Sequence, residues 1–445
     1  MKEREIFGHW SLGQRGPTDG RLLIDEAGVM DLQLRGFLEE GPRALGQLSD
    51  GKPATLFDLG LLSRNPDRHF FEEYRVGTAV LGLALGDVHD PCLASAVCRL
   101  DGLKEAVGVS GLSLEVSGSQ QERFAKVEWQ GSKAIEATLP VGRLKISNLA
   151  HFQRESDFQY VLEHVVEAKL QAANPLGLEE VEEVFDTLAA LLAFAIEARV
   201  SIGSLWVTQA VDNGEKPGEV LTKRRPSYGE PPAANEPWLV LGSLEDPASA
   251  VEGFYRFAQD QAAAYLILFE FQVFFAALNP IDKLLYLARF LEVYHRTRFP
   301  GFRDPEDVQQ RRESLVKEAL GEEHKEWGSH VLHHSNEITF KERIVSLLEG
   351  PARVASPIIG APAADFARVV GNCRNYWTHY APELERKALF DVELDQLDDR
   401  LLLVVRALVL AEMGVSASDA QAALENDWRW RPYLKLPLRI PGRKK

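Results

Sequence analysis

The chain has 445 residues, with 50 Lys and Arg against 66 Asp and Glu, for a formal charge of −16. At 45 % hydrophobic and 26 % charged it can bury the cores of roughly two to three domains, which excludes wholesale disorder. The negative total also excludes a basic nucleic-acid coat over the whole surface.

In chain order, the first 245 residues read as mostly strand. Short β-rich or alternating runs fall at 21–24, 29–34, 54–59, 74–85, 94–100, 112–116, 123–129 and 143–146, with Gly20, Gly28, Gly51, Gly86, Gly111, Gly118, Gly131 and Gly142 between them. Strands at this spacing predict a sandwich or open barrel. One helix is expected over 178–200, with Glu179, Glu180, Glu182 and Glu183 near its positive end. Strands follow at 204–209 and 238–242, separated by a loop over 212–237 that is rich in Gly, Pro and charge.

From about residue 245 the period changes from two to 3.6. Residues 246–278 read as a connector, although 265–277 is an apolar run broken by Glu270 and Gln272 and too short to span a bilayer. Asn279-Pro280-Ile281-Asp282 opens a helix that should stop before Pro300. Asp304-Pro305 opens another to about 320, and Thr339-Phe340-Lys341-Glu342 is a capping box for a helix to about 349. Residues 363–378 and 391–413 complete the set, stopped by Pro382 and Gly414. The expected fold class is therefore α+β: a β-rich domain over 1–245, then a helical bundle over 279–427.

Charge follows this division. Residues 1–250 carry −14 and residues 251–445 only −2, while the tail over 428–445 holds seven cations and no acid. Cys92, Cys98 and Cys373 match no disulfide framework or metal-ligand spacing, and the N-terminus leads into no apolar signal segment. A reduced, cytoplasmic setting without membrane attachment is the expectation.

Among candidate chemistry, Arg374-Asn375-Tyr376-Trp377-Thr378-His379 is an Arg-x4-His string at the end of a helix. The string alone is cheap, because Arg4 to His9 and Arg64 to His69 match it too. Five residues on a regular helix are about 140° apart, so Arg374 and His379 meet only if the helix loosens near His379. A His can exchange a proton with the ribose 2′-hydroxyl or the leaving oxygen, and a guanidinium can hold the phosphate, so RNA cleavage would need no metal or other cofactor. Ordinary capping and surface contacts are the competing account.

Other groups keep two readings. Glu292 and His295 share a helix face and are candidate accessory residues for His379, or a solvated face. His324, His330, His333 and His334, with Glu322, Glu323 and Glu326, lack the His-Glu-x-x-His pattern, so a polar loop is expected rather than a metal site. Trp428, Arg429, Trp430, Arg431 and Lys435 interleave aromatics with cations, which suits single-stranded RNA or a tail docked on its own helices.

The helical third resembles the HEPN superfamily, specifically the ApeA-like HEPN domains. The resembling strings are Phe290-Leu291-Glu292-Val293-Tyr294-His295-Arg296, Thr339-Phe340-Lys341-Glu342-Arg343-Ile344 and Cys373-Arg374-Asn375-Tyr376-Trp377-Thr378-His379. The N-terminal part resembles the ApeA N-terminal domain through Gly8-His9-Trp10, Gly20-Arg21-Leu22 and Leu32-Gln33-Leu34-Arg35-Gly36. The resemblance implies an anti-phage, abortive-infection effector whose β-rich domain senses or restrains and whose HEPN domain is a metal-independent endoribonuclease. It implies Arg374 and His379 as the catalytic pair, Asn375 as the polar residue after the Arg, and a site formed where two such motifs face each other in a homodimer or higher oligomer. RNA, tRNA among the candidates, and a phage-derived trigger are the implied partners. Tyr380 departs from the small residue more usual after the His. The alternative is a non-catalytic RNA-binding or dimerisation module of a defence complex.

Overall fold

The computed structural model describes residues 3–11, 16–36, 43–65, 72–108, 112–118, 123–129, 133–156, 159–198, 200–211, 214–222, 237–321, 324–333, 335–427 and 436–441. The chain forms two compact units, Met1–Glu252 and Gly253–Lys445.

In the first unit, fourteen of the described strands join in one antiparallel sheet, and Leu112–Gly118 pairs with Arg123–Trp129 in a separate ribbon. The strand Arg4–Ser11 lies between Thr18–Ile24 and Arg43–Leu48. Alternation sends Trp10 inward and Phe7 and His9 outward. Trp10 is fully buried in a cluster with Leu22, Leu32, Leu34, Ala44, Leu56 and Val76. Its ring fills the space left by two glycines. A Cβ on Gly46 would come within 2.4 Å of the ring, and one on Gly20 within 3.1 Å of it.

The largest addition to the expected strands is the hairpin Gly142–Ser156 with Gln159–Leu176, of which only 143–146 is legible as strand. Gly214–Thr222 is also a strand, inside the expected loop. Its Pro217 is tolerated because the neighbouring strand Thr78–Leu81 pairs only with Glu219–Thr222 and asks nothing of the missing N–H. Residues 238–242 are not a strand. Trp238 is anchored by a hydrogen bond from its Nε1 to the Phe194 carbonyl (2.5 Å) and an edge contact to the Phe194 ring (5.0 Å). Among the described residues this unit also holds α1 (Leu103–Val107) and α2 (Leu178–Ile196).

The helices that follow are α3 (Pro247–Asp260), α4 (Ala262–Phe274), α5 (Pro280–Arg298), α6 (Glu306–Ala319), α7 (Lys325–His333), α8 (Phe340–Glu349), α9 (Ala363–His379), α10 (Pro382–Glu385), α11 (Asp391–Glu412) and α12 (Ala417–Asn426). The boundary between the units falls inside α3, and the expected connector is two helices. Helix α5 packs against α4, α8, α9 and α11. Its start follows the sequence signal, with the Asn279 side chain accepting from the Asp282 N–H (3.0 Å). The capping box of α8 forms as well, with Glu342 accepting from the Thr339 N–H (2.8 Å). Helix α11 buries Leu401 to Leu410 without interruption. Gly253 of α3 lies against the Met413 backbone at its end, where a Cβ would stand 2.5 Å from the Met413 carbonyl oxygen. Among the described residues no helix is long and apolar enough to cross a membrane.

Candidate active site at the end of helix α9

Helix α9 turns Phe366, Val369, Val370 and Cys373 into the bundle. The Cys373 thiol accepts from the Leu389 N–H (3.2 Å), and burial pushes it up to about 11, so it stays a neutral packing group. One residue later the helix emerges from the core. Arg374 donates from Nη2 to Glu292 Oε2 (3.2 Å) and from Nη1 to its neighbour Asn375 Oδ1 (3.1 Å). Its guanidinium lies over the Phe340 ring, 5.6 Å from the centroid. Three helices thus fix one cation: α9 supplies it, α5 the carboxylate and α8 the aromatic face.

The Glu292 carboxylate is shared. Its other oxygen accepts from Arg296 Nη2 (3.1 Å), and Arg296 approaches Glu337 (3.6 Å). Beside this row Arg303 grips Glu342 with two hydrogen bonds (2.9 and 2.7 Å), which together with the Thr339 cap hold the Glu342 carboxyl down at about 2. Arg374 therefore stands in an alternating array, where a phosphate would compete with Glu292 for its donors.

His379 is the last residue of α9 and is exposed. The helix does not loosen before it. The break falls at Tyr380, which takes a left-handed φ of 50° while its N–H still reaches the Tyr376 carbonyl (2.6 Å). The Tyr380 ring packs on Tyr376 (5.9 Å) and Trp377 (6.0 Å), which also meet Phe390, so its bulk is directed to an aromatic cluster and His379 is left open. No hydrogen bond joins Arg374 to His379 within the chain, in keeping with their separation around a regular helix.

Glu292 and His295 part company despite sharing a helix. Glu292 reaches Arg374, while His295 is 2 % exposed and accepts at Nδ1 from Arg343 Nη1 of α8 (2.9 Å). Because guanidinium only donates, the ring is neutral with its proton on Nε2. Burial first, and then the Arg343 charge, lower the His295 pKa. The 82-residue separation of Glu292 and Arg374 hid their pairing from the sequence, and Phe340 carried no signal beyond its place in the capping box.

Among the described residues no group of three or more His, Cys, Asp or Glu could hold a metal ion. His324 is exposed, whereas the side chains of His330 and His333, and Glu322, Glu323 and His334, lie outside the described residues. Trp428, Arg429, Trp430, Arg431 and Lys435 lie outside them too. The described residues before and after this segment are anchored. Asp427 accepts from Arg406 (2.8 Å) in a pair 1 % exposed, the Leu436 carbonyl accepts from Arg400 (2.9 Å), and the Leu438 N–H reaches Gly360 (3.0 Å).

A β-sheet domain followed by a helical unit, with an Arg and a His at one helix end, is consistent with a HEPN-type two-domain protein. Residues 5–239 match the family model ApeA N-terminal domain 1 and residues 285–419 match Apea-like HEPN. The chain belongs to the ApeA-like HEPN family. No curated protein and no solved structure matches it.

Proposed function

We propose that the protein is an anti-phage effector that cleaves RNA without a metal ion, in the cytoplasm, through Arg374 and His379. The family implies a HEPN nuclease-type anti-phage effector. The observation that carries the finer reading is the contrast within one helix end: Arg374 held by Glu292, Asn375 and the Phe340 face, and His379 open to solvent.

In the reaction the ribose 2′-oxygen attacks the adjacent phosphorus and the 5′-oxygen leaves. His379 takes the 2′-hydroxyl proton or delivers one to the leaving oxygen. Arg374 faces the non-bridging oxygens and offsets the charge that grows on them. The products are a 2′,3′-cyclic phosphate and a 5′-hydroxyl. Since the two side chains diverge within one chain, the site is completed in a homodimer, where the Arg of one copy and the His of the other face one phosphate. The N-terminal unit senses a phage-derived trigger or restrains the nuclease, and RNA, with tRNA among the candidates, is the substrate.

The Arg374–Glu292 ion pair also suits a second reading, in which both residues are structural and the unit only binds RNA or dimerises. Cells carrying wild type, Arg374→Ala or His379→Ala, challenged with phage and sequenced for RNA ends, separate the two. New RNA ends and growth arrest only with wild type support cleavage. Equal arrest with equal ends in all three supports the binding module.

A further inference from the structure

Six neighbouring strands of the sheet unit turn one face to solvent. In sheet order they are Ile135–Leu139, Gly142–Ser156, Gln159–Leu176, Leu93–Leu100, Ile202–Val211 and Gly214–Thr222. Alternation buries Leu144, Ala168, Leu170, Ala96 and Val207 on the inner side and turns their chain neighbours outward. Register then sets the outward residues in rows. Glu136, Lys145, Lys169, Val97, Trp206 and Glu219 form one row, each opposite the next. Arg143, Gln171, Ser95 and Thr208 form the row on one side of it. On the other side Glu167 lies 3.9 Å from Arg99.

This face runs against the charge of its own unit. Residues 1–250 carry −14, yet these rows hold Arg99, Arg143, Lys145 and Lys169 against only Glu136, Glu167 and Glu219. Each carboxylate already has a cation, since Glu136 holds Lys145 (2.8 Å), Glu219 holds Arg4 (2.8 Å) and Glu167 faces Arg99. Lys169 and Arg143 are exposed and make no hydrogen bond or ion pair among the described residues. Lys169 also stands directly opposite Lys145, a like-charge juxtaposition that costs a sheet stability unless an anion offsets it. Two strands on from Lys169 in the same row, past Val97, Trp206 is 45 % exposed. At about 4.8 Å between strands, the backbones that carry the open indole and the free ammonium are about 10 Å apart.

We propose that this face holds a short stretch of single-stranded RNA. Unpaired bases present flat π-faces, for which the open indole is a stacking surface, while Lys169 and Arg143 bring unengaged charge to the backbone phosphates. A duplex keeps its bases stacked within itself and offers Trp206 none. Beside the indole, the Thr208 hydroxyl both donates and accepts toward a base edge or a ribose. The choice of RNA over DNA rests on the proposed cleavage of RNA. The face itself lies in the sheet unit and includes neither Arg374 nor His379.

The test is fluorescence anisotropy of a labelled 2′-O-methyl oligoribonucleotide of about eight nucleotides, titrated with the full chain at several salt concentrations. The methyl group blocks attack by the 2′-oxygen, so binding is read whether or not the protein cleaves RNA. Lys169→Ala, Arg143→Ala, Trp206→Val, Trp206→Phe and Lys104→Ala are compared with wild type, and again in chains carrying Arg374→Ala. Lys104, on helix α1, is exposed and stands in none of these rows, so its variant controls for loss of a surface cation. Lys169→Ala and Arg143→Ala should each weaken binding about three- to tenfold and lower the slope against log salt by about 0.7. Trp206→Val should weaken it about tenfold with the slope unchanged, Trp206→Phe should recover most of that loss, and Lys104→Ala should match its parent. The same changes should appear in the Arg374→Ala chains. If Trp206→Val fails to fold, Lys169→Ala carries the comparison through its salt slope. Unchanged affinity in the folded Lys169→Ala, Arg143→Ala and Trp206→Val proteins would overturn the proposal and leave the cleavage reading standing. So would tighter binding of DNA of the same sequence, equal binding of an oligoglutamate peptide of the same charge, or no saturation at about 0.1 mM protein in low salt.

Discussion

Arg343 with His295 and Arg374 with His379 place the same two residue types in opposite surroundings. The first pair lies between α5 and α8, with His295 2 % and Arg343 4 % exposed, and the side chains bonded to each other. The second lies at the end of α9, where the Arg is held by another helix and the His faces solvent. A buried imidazole kept neutral by a neighbouring cation has no route to a substrate proton. An exposed one, such as His379, does. The difference teaches that position along the helix, more than residue type, separates packing from candidate chemistry in this bundle.

Substitutions at the two pairs should therefore fail in different ways. His379→Ala should cut RNA cleavage by about 10²–10⁴-fold, as loss of a general acid or base does. Its thermal unfolding should match wild type, since the side chain is exposed. A parallel loss of melting temperature and activity would erase the distinction between the pairs. Arg343→Ala should do the reverse, destabilising the helical unit by about 2–4 kcal/mol through a cavity and an unpartnered His295 Nδ1. Denaturant unfolding measures this directly.

Glu292→Gln comes next in size. Removing the charge that holds Arg374 should lower the cleavage rate by about tenfold while changing stability by less than about 1 kcal/mol, because the ion pair is partly exposed. Restoration by Glu292→Asp would mark a positioning role, and an unchanged rate in Glu292→Gln would remove Glu292 from the site.

A smaller effect concerns pH. The folded His295 pKa lies below its unfolded value of about 6.5. Its contribution is thus complete above about pH 6.5 and falls away as pH drops toward the folded pKa, where protonation sets a second cation against Arg343. Unfolding curves from pH 7.5 to 5 should show this decline, and His295→Gln should flatten it. Asp398 works in the opposite direction. Burial, helped by Asp399 and Asp395, raises its carboxyl to about 9, and neither oxygen has a partner among the described residues. That cost grows as pH rises from about 4 toward 9, so Asp398→Asn should stabilise more at pH 8 than at pH 5.

Much of the helical unit was legible because its ends carry local chemistry. Asn279-Pro280, Thr339 with Glu342, and Gly414 each mark a terminus through hydrogen bonds made within a few residues. Helix α4 escaped detection because Leu266, Ile267, Leu268 and Phe269 are apolar on successive faces, leaving no stripe to read. The hairpin through Gln159–Leu176 mixes charge with apolar residues, and its pairing is settled by the partner strand. In the site, sequence could nominate Arg374 and His379 but could not show that Glu292 and Phe340 hold the Arg. Those contacts are tertiary. The basic tail changes meaning as well. Leu436 and Leu438 are tied to Arg400 and Gly360, so deletion after residue 430 removes packing along with charge.

The central claim is that Arg374 and His379 perform metal-independent transesterification. The most direct measurement is the chemistry of RNA ends left by purified full-length protein in excess EDTA, with wild type, Arg374→Ala and His379→Ala side by side. Wild type should leave 2′,3′-cyclic phosphate and 5′-hydroxyl ends, and either variant almost none. Equal ends from all three proteins, or cleavage that appears only on adding a divalent metal, would contradict it.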